Sequence, residues 1–185
     1  VKQRPFRRIL GHIQNFGLAG LNLYCEMWSF KLNLEHHKPD LKARIPISIG
    51  NTTESVLQNG ETLFTARHEG QIVSWLKRSE NPYPLTYIDQ HLQLAPKECY
   101  LHGAFTQPAY RSQGLLVELI SQACKSAHHT SALVAIISYN QSSIRAFTKA
   151  GFRLKQVRGF FGLGTWRRHF PVQPAPTENT RSTSE

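Results

Sequence analysis

The rhythm of hydrophobic positions changes along this chain, and each change predicts an element. Residues 61 to 67 (ETLFTAR) and 71 to 78 (QIVSWLKR) are strand-type runs on either side of His68-Glu69-Gly70, which reads as a β-hairpin. Glu98 to Thr106 is a second extended run of aromatic, apolar and small residues, closed by the turn Gln107-Pro108. From Gln113 the apolar positions Leu115, Leu116, Leu119, Ile120, Ala123 and Ala127 fall at helical spacing. Ala132 to Ser138 (ALVAIIS) is apolar on both faces, as a strand in a buried parallel pair is. Strand, helix and strand in that order predict a right-handed βαβ crossover.

The flanks are less regular. Residues 5 to 16 begin with proline at a first helical position and place Phe6, Ile9, Leu10, Ile13 and Phe16 on one face, an amphipathic basic helix. That face suits packing onto the domain, with docking at an anionic membrane surface as the alternative. The following stretch fits two periods. Leu21, Tyr24, Cys25 and Trp28 suit a helix, whereas Phe30, Leu32 and Leu34 suit a strand. Asn22, Glu26 and Lys31 break it well short of a transmembrane segment. Residues 45 to 49 (IPISI) predict a strand and 53 to 58 a short helix. Residues 79 to 97, with three prolines and two tyrosines, predict a long loop or broken helix. Beyond Phe152, RLKQVRGFF and GTWRRHF predict two strands joined around Gly162-Leu163-Gly164, and the tail from Pro171 is Pro/Ser/Thr-rich and expected to be disordered. The expected organisation is an N-terminal helical segment over 1–44, one α/β domain over 45–170 and a tail over 171–185.

Composition narrows the class. A chain of 185 residues, 40% hydrophobic and 10% aromatic, is one domain by size and folds around a core. Cys25, Cys99 and Cys124 at unrelated spacings exclude a disulfide framework and a zinc ribbon and point to a reducing, cytoplasmic setting. No secretory-signal pattern is visible at the start. His36-His37 and His128-His129 are adjacent pairs rather than the i, i+4 pairs that aim two ligands at one ion, so they read as solvated residues and no metal is expected. The net charge of +10 raises affinity for polyanions: a CoA-type cofactor, an anionic membrane or a nucleic acid. The basic residues come in scattered twos (Arg7-Arg8, Lys77-Arg78, Arg167-Arg168), which argues against a dedicated nucleic-acid stripe. The sequence carries no signal for an oligomeric state.

The chemistry concentrates where the Glu98–Thr106 run feeds the helix. There Arg111-Ser112-Gln113-Gly114-Leu115-Leu116 places a glycine at a tight turn in front of a helix N-terminus, whose free N–H groups and dipole suit a pyrophosphate. The next strand ends at Asn140, followed by Ser143, Phe147, Lys149, Gly151 and Phe152 in the spacing N-x-x-S-x-x-x-F-x-K-x-G-F. An R-x-x-G turn after one strand and this second motif after the next resemble the Gcn5-related N-acetyltransferase (GNAT) superfamily. The resemblance spans residues 98 to 152, extends to 61–78 and 153–170, and does not reach 1–44. It implies a mixed central sheet of about six to seven strands with flanking helices around a βαβ acyl-CoA-binding core.

The resemblance also implies a reaction: transfer of an acetyl group from acetyl-CoA, or a longer acyl group, directly to an amine acceptor through a tetrahedral intermediate. Phe105, Thr106 and Gln107 would run along the pantetheine, the backbone of Arg111, Ser112, Gln113, Gly114, Leu115 and Leu116 would hold the pyrophosphate, and Asn140 and Ser143 would lie beside the thioester. Asn140 equally suits a helix N-cap. For the general base, strand alternation puts Glu98, Tyr100, His102 and Ala104 on one face. Glu98 matches a catalytic glutamate of some superfamily members, and His102 titrates near neutrality. Their structural alternatives are a strand-edge charge and a satisfied interior imidazole. The sequence departs from the pattern at Leu116, where a small residue is usual, and at Phe147, where a tyrosine general acid is usual; Tyr139 or Ser143 would substitute, or the thiolate would leave unaided. The acceptor side would comprise Phe160, Phe161, Trp166 and Tyr83 to Tyr87, beside Arg167 and Arg168. A non-catalytic CoA-binding or regulatory module on the same fold is the second reading, and a basic nucleic-acid or membrane-surface binder the third.

Overall fold

The computed structural model describes residues 24–34, 42–52, 61–125, 128–163 and 166–174. The expected helices over 5–16 and 53–58 lie outside these residues. Ten strands and two α-helices are described: β1 (Tyr24–Asn33), β2 (Ser48–Thr52), β3 (Glu61–His68), β4 (Gln71–Ser79), β5 (Tyr83–Leu85), β6 (Gln90–Leu92), β7 (Glu98–Thr106), α1 (Leu115–Cys124), β8 (Ser131–Ile137), α2 (Gln141–Lys149), β9 (Arg153–Leu163) and β10 (Trp166–Pro174). Eight strands form one mixed sheet in the order β10-β9-β1-β8-β7-β4-β3-β2, somewhat wider than expected, and β5 and β6 pair separately. No helix among the described residues is long and apolar enough to cross a membrane.

The hairpin, the βαβ unit and the final pair of strands form where the hydrophobic pattern places them. Glu69 and Gly70 both have positive φ (49° and 81°), the turn that matches the twist of the flanking strands β3 and β4. In the crossover, β7 and β8 pair in parallel from Glu98↔Ser131 to Leu101↔Val134, and α1 packs against β7 and its neighbours β4 and β3. The helix face of the sheet carries the larger core, in which Leu101, Val134, Leu119, Ile120, Phe147 and Phe152 are buried together. The opposite face carries a smaller core of Cys25, Met27, Tyr100, Leu133 and Phe160 under Leu85, Ile88 and Leu92. The segment expected as a loop or broken helix, 79–97, is therefore a lid built of β5, a single 3-10 turn (Thr86–Ile88) and β6.

Three boundaries differ from expectation. Residues 24–33 are a strand, not part of a helical segment, and β1 lies between β8 and β9, antiparallel to both, so the domain cannot begin at residue 45. The strand expected at 45–49 runs instead over Ser48–Thr52 as the edge partner of β3. Residues 171–174, expected in the disordered tail, complete β10, where Gln173 and Pro174 pair with Val157 and Gln156. His129 is also not solvated. Its side chain is 6% exposed, 3.3 Å from Glu80, and burial holds its pKa below the usual value, assisted by Arg78 and opposed by Glu80.

Candidate functional site

The central event in the sheet is the parting of its two parallel strands. Pairing between β7 and β8 stops at Leu101↔Val134, yet β7 stays with β4 as far as Thr106↔Ser74 and β8 stays with β1 as far as Ile137↔Met27. The cause is local. Across β4 and β7 the register passes from Lys77↔His102 to Trp75↔Phe105, so Leu76 alone opposes Gly103 and Ala104. Gly103 sits at φ +59°, the left-handed geometry of a glycine bulge, and such a bulge bends its strand. β7 thus turns away from β8 two residues after their last pairing, at Gly103, and the strand edge it exposes can pair with an extended ligand.

Two cavities meet at that gap. The first, about 590 Å³, lies on the helix side between the end of β7 and the N-termini of α1 and α2. Of the predicted cofactor residues, Phe105, Thr106, Arg111, Ser112, Gly114, Leu115, Leu116, Asn140 and Ser143 line it, while Gln107 and Gln113 do not. Gln107 instead ties β7 to β4, its amide nitrogen donating to Ile72 O at 2.6 Å. Gln113 uses its carbonyl to accept from Arg44 N at 2.7 Å. With Ala43 N donating to Glu118 Oε2 at 2.5 Å, this fastens residues 42–44 against the turn. Ser112 (φ +63°) and Gly114 (φ +86°) curl the backbone so that α1 begins without a side-chain cap, and its first N–H groups are left for a ligand. Arg145 and Lys149 of α2 join Arg111 on the wall, two cations to which sequence reasoning gave no phosphate role.

The second cavity, about 360 Å³, lies on the opposite face under the β5–β6 lid. Its walls include Met27, Tyr83 to Tyr87, Tyr100, His102, Ile137 and Phe147. Ala104, Asn140 and Ser143 line both cavities, so they mark the junction. Asn140 serves there as the N-cap of α2: its Oδ1 accepts from Ser143 N (3.2 Å) and Ser142 Oγ (2.9 Å). Of the aromatics expected on the acceptor side, the Tyr83–Tyr87 stretch is in place. Phe160 is buried in the smaller core with Arg167 over its ring at 4.7 Å, and Phe161 and Trp166 are exposed on β9 and β10 away from the cavity.

The candidate bases separate. Glu98 lies at the far end of β7, where β7 and β8 are still paired, and lines neither cavity. Its oxygens accept from Lys31 Nζ (2.6 Å), Ser131 Oγ (3.0 Å) and Ala95 N (2.9 Å). Burial alone would raise its pKa, but these donors outweigh burial and hold it below the usual value. Glu98 thus forms a buried ion pair with Lys31. Tyr139 is 40% exposed and also outside both linings. His102 remains, on the wall of the second cavity. Its ring stacks against Tyr83 (centroids 4.2 Å) and Tyr100 (5.6 Å), and its Nε2 lies 3.2 Å from Glu61 Oε1. Burial pushes the imidazole pKa down, Glu61 pulls it up and Lys77 pushes it down. The phenols beside it stay protonated: burial raises both, Tyr83 further through Glu61, Tyr100 further through Tyr83. Burial also lifts the Cys25 and Cys99 thiols to about 11, so neither is a nucleophile. Among the described residues no three His, Cys, Asp or Glu side chains converge to hold a metal.

Comparison with known proteins bears on the family and the fold. The family model described as the acetyltransferase (GNAT) family matches residues 21–152. Similar solved structures include a protein of unknown function from Staphylococcus epidermidis (8% identity, TM-score 0.55, 84% of this chain and 66% of that one). A GCN5-related N-acetyltransferase from Kribbella flavida also aligns (12% identity, TM-score 0.51, 93% and 64%), as does one from Sphaerobacter thermophilus (10%, 0.50, 80% and 54%). At these identities the likeness is one of fold, and the chain spans between 54% and 66% of their lengths. No curated protein matches the chain.

Proposed function

This chain belongs to the GNAT acetyltransferase family, and from that premise and its two cavities we propose that it transfers an acetyl group from acetyl-CoA to an amine. The observation that carries the reading is the junction at Ala104, Asn140 and Ser143, which gives one gap in the sheet a donor side and an acceptor side. The donor side fits CoA. Its turn holds two residues at positive φ, its helix N-terminus is uncapped, and Arg111, Arg145 and Lys149 supply positive charge for phosphates. The exposed edge of β7 suits a pantetheine arm, with Phe105 and Thr106 alongside.

On the acceptor side His102 takes the proton that keeps the incoming amine an ammonium, which frees its lone pair. As the new N–C bond forms and the C–S bond breaks, the nitrogen gives up a second proton. One of the two protons ends on the sulfur and the other in solvent. Phe147 cannot donate a proton, and Ser143, which lines both cavities, is the residue we assign to pass one to the thiolate. Titrating acetyl-CoA into the protein by calorimetry, then following thiol release with a panel of amines, tests the reading. Saturable binding followed by release with one acceptor class supports it. Binding without release from any amine favours the non-catalytic module, and no binding of any acyl-CoA overturns both.

A further inference from the structure

Glu61 and His102 are 41 residues apart in sequence, but β3, β4 and β7 are neighbours in the sheet. Lys77 pairs with both Leu63 and His102, and Glu61 lies two residues before Leu63 on β3. Strand alternation therefore puts Glu61, Lys77 and His102 on one face of three adjacent strands. Glu61 Oε2 meets Lys77 Nζ at 3.1 Å, and Glu61 Oε1 meets His102 Nε2 at 3.2 Å. The side chains of Glu61 and His102 are 4% and 7% exposed. Lys77 is thus the cation paired with this buried carboxylate.

We propose that Glu61 is the positioning residue for His102 in the acyl transfer described above, and that Lys77 sets how strong a base the imidazole becomes. The proposal rests on that reading of the acceptor cavity. With Nε2 turned to Glu61 and sealed from water, the nitrogen left for the acceptor is Nδ1. A neutral imidazole facing a carboxylate keeps its N–H on the carboxylate side, which fixes the tautomer in which Nδ1 carries the lone pair. When Nδ1 takes a proton, Glu61 faces the imidazolium that results and stabilises it. The contact is close but not aligned as a hydrogen bond, a looseness common before substrate binds. The other groups against the ring are the phenols of Tyr83 on β5 and Tyr100 on β7, which stack on it and stay neutral. Lys77 works in the opposite sense to Glu61: its charge disfavours the imidazolium.

The two partners therefore have opposite signatures. Glu61→Gln keeps the side chain's shape but removes the charge that favours the imidazolium, so the His102 pKa falls. Lys77→Met removes the charge that disfavours it, so the pKa rises. Each shift is expected to be about one pH unit, a tenfold change in the acid constant. The measurement is an NMR titration of ¹⁵N-histidine-labelled protein, with the His102 resonance assigned by its loss in His102→Gln. It needs no acceptor and does not depend on the enzymatic reading. Thiol release with an amine found to be a substrate then gives the pH profile of kcat/KM. Its acidic limb should move down in Glu61→Gln and up in Lys77→Met, with kcat in Glu61→Gln lowered about tenfold or more. Shifts of the same sign, or none, overturn the proposal. If Glu61→Gln fails to fold, Lys77→Met still decides it: with Lys77 gone, the His102 imidazolium is left as the charged partner of the Glu61 carboxylate, so the His102 pKa must rise. Opposite shifts by NMR in a protein that transfers no acyl group would overturn the catalytic role and, separately, the proposed function.

Discussion

Gly114 offers a test of the donor site in which strain and charge separate. It sits at φ +86°, and an added Cβ would meet Ala43 Cα and Lys42 O at 3.5 Å each, an ordinary contact. The cost of any side chain here is therefore conformational. Holding a non-glycine residue in the left-handed region costs about 1–2 kcal/mol, offset by about 0.4–1 kcal/mol from the stiffer unfolded chain. The net, about 1 kcal/mol, corresponds to a loss of about 2–4 °C in Tm for a chain of this size. Gly114→Glu and Gly114→Lys share that cost and differ in charge. A carboxylate about 5 Å from a phosphate, at an effective dielectric constant of about 20, is repelled by about 3 kcal/mol before screening. At physiological salt, with a Debye length of about 8 Å, roughly half of that remains. Acetyl-CoA affinity should thus fall about tenfold to a hundredfold in Gly114→Glu and far less in Gly114→Lys, with matched Tm values. Calorimetric titration of the two variants at low and moderate salt is the assay, and the gap between them should narrow as salt rises. Equal affinities in the two variants would refute the phosphate reading of this turn.

Other substitutions separate structure from chemistry in the same way. Glu98→Gln should lower stability by about 1–3 kcal/mol through the loss of the Lys31 contact, while the folded fraction keeps its transfer rate; a hundredfold loss of rate at unchanged Tm would make Glu98 a base after all. Phe147, 2% exposed and edge-on to the Phe152 ring at 5.2 Å, should cost about 3–5 kcal/mol when cut to alanine, read by denaturant unfolding, and a loss under 1 kcal/mol would show that the ring is not core. Stability should fall as pH drops from about 7 to 5, because His102 and His129 have pKa values held below the unfolded value near 6.5, so the unfolded chain takes up protons first. Glu98, with its pKa held below the usual value, adds stability above about pH 4.5 that is lost as pH falls further. Replacing both histidines by glutamine should flatten the upper part of that Tm profile, and an unchanged profile would refute the assignment.

The βαβ unit and both its motifs were legible because their periods differ sharply and lie side by side in sequence. β1 was not, for a physical reason. Its first half turns Cys25 and Met27 to the small core under the lid, and its second half turns Phe30 and Leu32 to the helix face. Where the lid ends, the first face carries Ser29 and Lys31, the latter bound to Glu98. The apolar positions therefore change face midway, and a strand that does so breaks its two-residue period and imitates a helix. The proximity of Glu61 to His102 was hidden differently: at the head of a hairpin strand a glutamate suits the surface, and only the three-strand register brings the two together. Gln107 and Tyr139 show the converse limit. Neighbourhood in a motif does not say whether a side chain faces the gap or the adjoining strand.

The glycine bulge at Gly103 links these observations. Without an extra residue there, β7 would continue beside β8 and the sheet would close over the region where both cavities meet. The same extra residue changes the phase of β7. It sets Phe105 opposite Trp75, on which it stacks (centroids 4.4 Å), and so on the face of the sheet that Lys77 and His102 share; unbroken alternation would turn it to the other. The bulge thus divides one strand between two neighbours: up to Leu101 it pairs with both β8 and β4, and beyond it with β4 alone. Ser74 anchors the far end, its hydroxyl donating to Phe105 O at 2.8 Å and meeting Thr106 Oγ1 at 2.8 Å. This anchor on β4 holds the bent half of β7 beside β4 and away from β8.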